Sequence, residues 1–145
     1  MNARVTTIIV GVIILGLGLA GLLYPSRIMG LLGYAILSPS QSAAVLGEVR
    51  ATYGGLFVVM GVYTLLAAVD PVAHRARLLF IGLLWLGACA GRLLGVSIDG
   101  GPGLPGWFAV VFELIIGGAL LVAALMPSAT APAVAAPNPT APAPS

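Results

Sequence analysis

Five ionisable side chains lie in or against apolar runs of a 145-residue chain that is only 7% charged: Glu48, Arg50, Arg92, Asp99 and Glu113. A charge in hydrocarbon costs about 2.5–3.5 kcal/mol at mid-membrane on insertion scales, and less near the surface. Such groups persist when they pair, hydrogen-bond or line a wet cavity. Arginines and carboxylates, with the Tyr53 phenol nearby, suit two kinds of chemistry. They can neutralise one another and fix helix register. Alternatively, two Arg forks can hold a carboxylate or phosphate, with Glu113 carrying a proton as intramembrane carboxylates do.

Other reactive types are sparse. Cys89 is the sole cysteine, so it makes neither an intrachain disulfide nor a metal site by itself. It reads as a small buried thiol; a redox role would need an electropositive, accessible setting. His74 is the sole histidine and falls in a polar loop, so haem or di-metal ligation lacks partners. No metal and no cofactor is expected. Gly100-Gly101-Pro102-Gly103 lacks the Lys and the strand-to-helix setting of a phosphate loop and reads as a turn.

Composition sets the class. The chain is 60% hydrophobic, with a mean hydropathy of +1.14. Soluble domains carry about 25% charged residues, so no soluble fold fits. The basic balance comes from six scattered Arg and no Lys against four acids. That is too sparse for a nucleic-acid surface.

The elements that must position the charges follow from the apolar runs. Thr6 to Tyr24 is long enough to span about 30 Å of hydrocarbon. It is read as an uncleaved anchor rather than a signal peptide, because no polar region follows Gly18-Leu19-Ala20. Ile28 to Leu37 is too short to span and reads as an interfacial or re-entrant segment. Ser38 to Ser42 is a helix-start signal. A second run covers about Ala43 to Val69 and stops at Asp70-Pro71. A third covers Leu78 to about Ile98, and a fourth covers Trp107 to Met126. Trp107 sits where tryptophan favours the headgroup level. Trp85 reads as bundle packing, with a place beneath the charged cluster as the alternative. Residues 127–145, rich in Pro and Ala, form no packed element and are expected as a disordered cytoplasmic tail.

Arg4, Arg75 and Arg77 fall on one side of a four-span arrangement, and Arg27 falls on the other with Asp99. The positive-inside rule then puts both termini in the cytoplasm, and all five charges at similar depths in the outer half. Helical spacing groups Arg50 with Gly47 and Gly54, Arg92 with Ala88 and Gly95, and Glu113 with Ala109 and Gly117. Small residues mark faces of close helix approach. Ladders at Gly47-Ala51-Gly55 and Gly87-Gly91-Gly95 are therefore expected to pack inside the bundle.

The strings Glu48-Val49-Arg50-Ala51-Thr52-Tyr53-Gly54-Gly55 and Gly91-Arg92-Leu93, then Asp99-Gly100 and a Glu (Glu113) in the last helix, resemble the bacterial domain of unknown function 4345 family. The resemblance runs from the first helix to Met126. It implies a small integral membrane protein with about four helices, and no established activity comes with it. Gly101 before Pro102 lengthens the Asp-Gly turn relative to the family pattern and alters how Asp99 is presented.

The expectation is therefore an all-α integral membrane bundle of four transmembrane helices in residues 1–126, N-in and C-in, in the inner membrane of a bacterium. Its candidate polar cluster or ligand site is Glu48, Arg50, Tyr53, Arg92, Asp99 and Glu113. The first functional reading is a non-enzymatic scaffold or accessory subunit. Its partners would be the bilayer together with a larger membrane complex or a second copy of the chain. The alternative is binding or proton-coupled transport of a small anionic or polar ligand. A membrane enzyme ranks last.

Overall fold

A computed structural model describes residues 2–34 and 39–126, the side chains of 39–42 aside. Among the described residues there are helices and turns and no strand. Helix α1 covers Ala3–Leu23, and its N-cap Asn2 accepts from the Arg4 amide through its side chain at 3.0 Å. This satisfies one of the amides that a helix start leaves open. A short α2, Pro25–Leu31, starts on proline, which has no amide hydrogen to satisfy there. Helix α3, Pro39–Val49, runs into a π-helical stretch, Arg50–Leu56, and then into α4, Phe57–Ala67. Helix α5 is Arg75–Asp99 and α6 is Gly103–Leu125.

Four helical stretches are long and apolar enough to cross a membrane: Ala3–Leu23, Ala43–Ala67, Arg75–Asp99 and Gly103–Leu125. Their outward faces carry exposed Val, Ile, Leu and Phe along their length, including Ile9, Val12, Val59, Leu83 and Ile115. A continuous apolar surface of this kind suits lipid and would associate in water.

The second spanning stretch ends at Ala67, two residues before the expected Val69. The Asp70 carboxylate there accepts from the amides of Val72 and Ala73 at 3.1 and 3.0 Å and organises the connection to α5. At the other end of the bundle, Gly100 and Gly103 adopt positive φ (96° and 69°), and this backbone turns α5 into α6. Of the segment expected over Ile28 to Leu37, Ile28 to Leu31 belong to α2 and a turn follows; residues 35–38 lie outside the described residues. The tail, 127–145, also lies outside them.

Packing is closest where glycines meet backbone. A Cβ on Gly18 would lie 2.5 Å from the Val58 amide nitrogen, and one on Gly61 would lie 2.5 Å from that of Leu15. One on Gly21 would strike the Tyr53 carbonyl. Helix α1 therefore lies tightly along the π stretch and α4. Gly82 and Gly117 do the same for α5 and α6, the most extensively packed pair. The expected ladders are corrected here. Gly47, Gly87 and Gly91 are exposed with open space beside them. Spacing alone cannot tell which of several small-residue faces turns inward, and the larger apolar side chains decide it.

The dry core occupies the half of the bundle near the termini. It contains Val10, Ile14, Met60, Ala67, Leu78, Ile81, Ile116, Leu120 and Ala124, with Trp85 at its upper edge. Thr7 and Thr64 are wholly buried there, and each donates to the carbonyl four residues back at 2.8 Å. Their hydroxyls therefore add no unmet polar atom.

Candidate functional site: an ion pair at the foot of a cavity

Glu113 is the eleventh of the 23 residues of α6, about 15 Å along the helix from Gly103 at 1.5 Å per residue. It therefore sits near the middle of α6, and it is 4% exposed. Arg92 is seven residues before the end of α5. Its Nε donates to Glu113 Oε1 at 2.7 Å. Charge-assisted bonds of this length are among the stronger ones available to a protein. Its Nη2 reaches the Tyr53 hydroxyl at 3.5 Å, a long contact that links α5 to the π stretch. Tyr53, Arg92 and Glu113 thus converge from three separate stretches of sequence.

The other candidate residues do not join them. Glu48 and Arg50 are exposed, and among the described residues the Arg92–Glu113 bridge is the ion pair present. Arg50 opens the π stretch, and it is exposed although Gly54, four residues on, is buried. Gly54 is buried against Leu22 of α1, and Tyr53 is the residue turned to the bundle interior. Asp99 is exposed at the end of α5. It borders a hollow of about 320 Å³ with Arg92, Gly95, Gly100, Gly101 and Pro102, so it shares a space with Arg92 without pairing to it.

Beside the ion pair lies a cavity of about 580 Å³ between α1, α2, the π stretch, the start of α4, α5 and α6. Arg92, Glu113 and Tyr53 supply its polar wall, and Trp85, Phe57 and Phe112 line its interior. The aromatic rings form a file. Tyr53 meets Phe57 edge-on at 5.6 Å, Phe57 tilts onto Trp85 at 4.8 Å, and Trp85 meets Phe112 edge-on at 5.5 Å. These spacings fall in the favourable range for aromatic pairs.

Two buried polar atoms of the wall residues have no hydrogen-bond partner: Glu113 Oε2 and Trp85 Nε1. Such atoms are uncommon in native interiors. An unmet buried donor or acceptor costs about 1–3 kcal/mol. One acceptor and one donor are thus left over on two residues that line the cavity.

Trp85 therefore combines the two roles weighed for it, packing and a place beneath the polar groups. Trp107 is half-exposed near the start of α6. Cys89 is buried, and its thiol points to the Val110 carbonyl at 3.7 Å. Among the described residues no group of His, Cys, Asp and Glu could hold a metal ion. Sequence reasoning missed Phe57, Phe108 and Phe112 as wall residues. A signal for them existed: Tyr53 and Phe57, and Phe108 and Phe112, are four apart and share helix faces.

Fold and site together define a class: a small all-helical protein whose helices can cross a membrane, with one interhelical ion pair beside a cavity. More specifically, the model of the family described as Domain of unknown function (DUF4345) matches residues 2–124, and the chain belongs to that family. No curated protein and no solved structure matches it.

Proposed function

We propose that this chain is a non-enzymatic binding protein of the bacterial inner membrane, which holds a small amphipathic molecule in the cavity above Arg92 and Glu113. In this reading both termini are cytoplasmic, and α2 lies at the outer interface beside the cavity mouth. Stacking of Arg27 on Tyr24 (5.4 Å) at one end of the bundle, and of Arg77 on Tyr63 (5.2 Å) at the other, suits two headgroup levels.

The observation that carries the proposal is the cavity itself. Its volume is in the range of small-molecule sites, about 300–1,000 Å³. Its wall is mostly apolar, with a few polar groups gathered at one place. Binding is favoured over transport because the cavity occupies one half of the bundle and the other half is filled core. A site gripped by two arginines is disfavoured, because Arg50 is exposed and Arg92 is already engaged.

The test is native mass spectrometry of the protein released from lipid nanodiscs, compared with Ala109→Trp, which fills the cavity. A small amphiphile retained by the parent and lost from the variant is expected. Identical adducts on both proteins would remove the cavity from consideration.

An accessory-subunit role is the second reading. Gly87 and Gly91 offer an outward small-residue face that a neighbouring helix could approach closely. Cysteine pairs introduced along that face would then crosslink to a partner in native membranes.

A further inference from the structure

The chemistry of the cavity narrows what it can hold. Arg92 and Glu113 neutralise one another at 2.7 Å, and no other charged residue lines the space. An anionic head would have to compete with Glu113 for Arg92, and a cationic head would have to compete with Arg92 for Glu113. Either exchange leaves one charge without its partner beside largely apolar walls, which is costly. A neutral head leaves the pair intact.

The unpartnered atoms set the head's hydrogen-bonding character. Glu113 Oε2 accepts and Trp85 N–H donates, so a matching head must both donate and accept. A hydroxyl does both through one atom. The two residues are 4% and 3% exposed, so a head reaches these atoms with a small shift of the wall side chains.

The walls then select shape. Tyr53, Phe57, Trp85 and Phe112 present ring faces and edges in sequence. A flat ring can join such a file by edge or offset contact. The rim is apolar and open: Leu31, Leu104 and Phe108 all line the cavity and are about 70% exposed. In this reading the mouth lies at the interface beside α2, so a tail can extend from it into lipid while the head is inserted.

We infer that the ligand is a neutral amphiphile with a flat, hydroxyl-bearing ring as its head, that is, phenol or quinol chemistry on an apolar tail, taken up laterally from the bilayer. This rests on the binding role proposed above and adds the ligand class. No covalent or redox step is involved.

The test uses full-length protein carrying Trp107→Phe, so that Trp85 is the sole tryptophan, in nanodiscs of neutral lipid. Four probes of matched chain length are titrated against Trp85 emission: a 4-alkylphenol, the alkylbenzene without the hydroxyl, a 4-alkylbenzoate and an n-alkanol. The phenol is expected to saturate at a concentration at least tenfold below each of the others. If the alkylbenzene or the alkanol matches it, the hydroxyl or the ring is not recognised and the assignment fails, while the binding role stands. If the benzoate binds best, neutrality is wrong. If no probe changes Trp85 emission, the binding role fails as well.

A second variant separates recognition from folding. In the double variant Arg92→Gln with Glu113→Gln, an amide pair can still link α5 and α6. The phenol advantage over alkylbenzene should fall at least fivefold while partitioning of the alkylbenzene is unchanged. An undiminished phenol advantage would place the recognition elsewhere.

Discussion

Arg92 Nε donates to Glu113 Oε1 at 2.7 Å, joining two helices through residues 21 apart in sequence. The carboxylate is almost fully enclosed, while the guanidinium keeps 28% of its side-chain surface. The two partners therefore pay unequal desolvation penalties, and the acid depends on the base more than the reverse. That asymmetry shapes the first two expectations.

Arg92→Ala should destabilise the bundle more than Arg75→Ala. Removing one partner of a buried pair costs about 3–5 kcal/mol, because the other charge is left without compensation. Arg75 begins α5 and is exposed, so its removal should cost under about 0.5 kcal/mol. Thermal unfolding in one detergent compares them directly, and equal midpoints would contradict a paired Glu113.

Replacing both partners by apolar residues, Arg92→Met with Glu113→Leu, should restore most of the stability lost in Arg92→Ala. Buried pairs exchanged for hydrophobic residues of similar volume are often neutral or stabilising. A double-mutant cycle built on unfolding free energies measures the coupling. A coupling near zero would mean that the pair contributes nothing as a pair.

Gly21→Ala and Gly61→Ala should each cost about 1–3 kcal/mol, as overpacking does in a tight interior. In both cases the new Cβ meets backbone, which cannot step aside as a side chain can. Gly87→Ala and Gly91→Ala meet open space, and should lie within about 1 kcal/mol of the parent. Gly21→Ala carries an added signature. It displaces the π stretch at Tyr53, so ligand binding should weaken by more than the stability loss accounts for. Unfolding midpoints together with the Trp85 titration check both points.

Cys89 should react with a membrane-permeant maleimide at least tenfold more slowly in the folded protein than after denaturation. It is 5% exposed and its thiol is directed at Val110. In Arg92→Ala, where α5 and α6 lose their polar tie, labelling should accelerate. Mass measurement over time gives both rates.

Much of the architecture was legible in the chain. Four apolar runs of spanning length, Asp70-Pro71 and the glycine-rich turn after Asp99 mark the helices and two of their connections. Backbone groups in hydrocarbon must be satisfied within the helix, so length and hydropathy alone decide which segments can span. Burial of Cys89 and inward placement of Glu113 were also readable: Glu113 shares its face with Gly117, which is buried, whereas Ala88, grouped with Arg92, is exposed.

Three features were decided only by tertiary structure. Along the π stretch at Arg50–Leu56, Tyr53 lines the cavity and Arg50 is exposed. Gly21 and Gly54 let α1 approach this stretch closely, which is a property of two helices and of neither alone. The inward choice of Gly18, Gly61, Gly82 and Gly117 over the Gly87-Gly91-Gly95 ladder depends on competition among faces for the same interior. The cavity depends on where six segments fail to touch. A local sequence pattern encodes what a residue can contact, but a void is defined by the joint placement of all its walls.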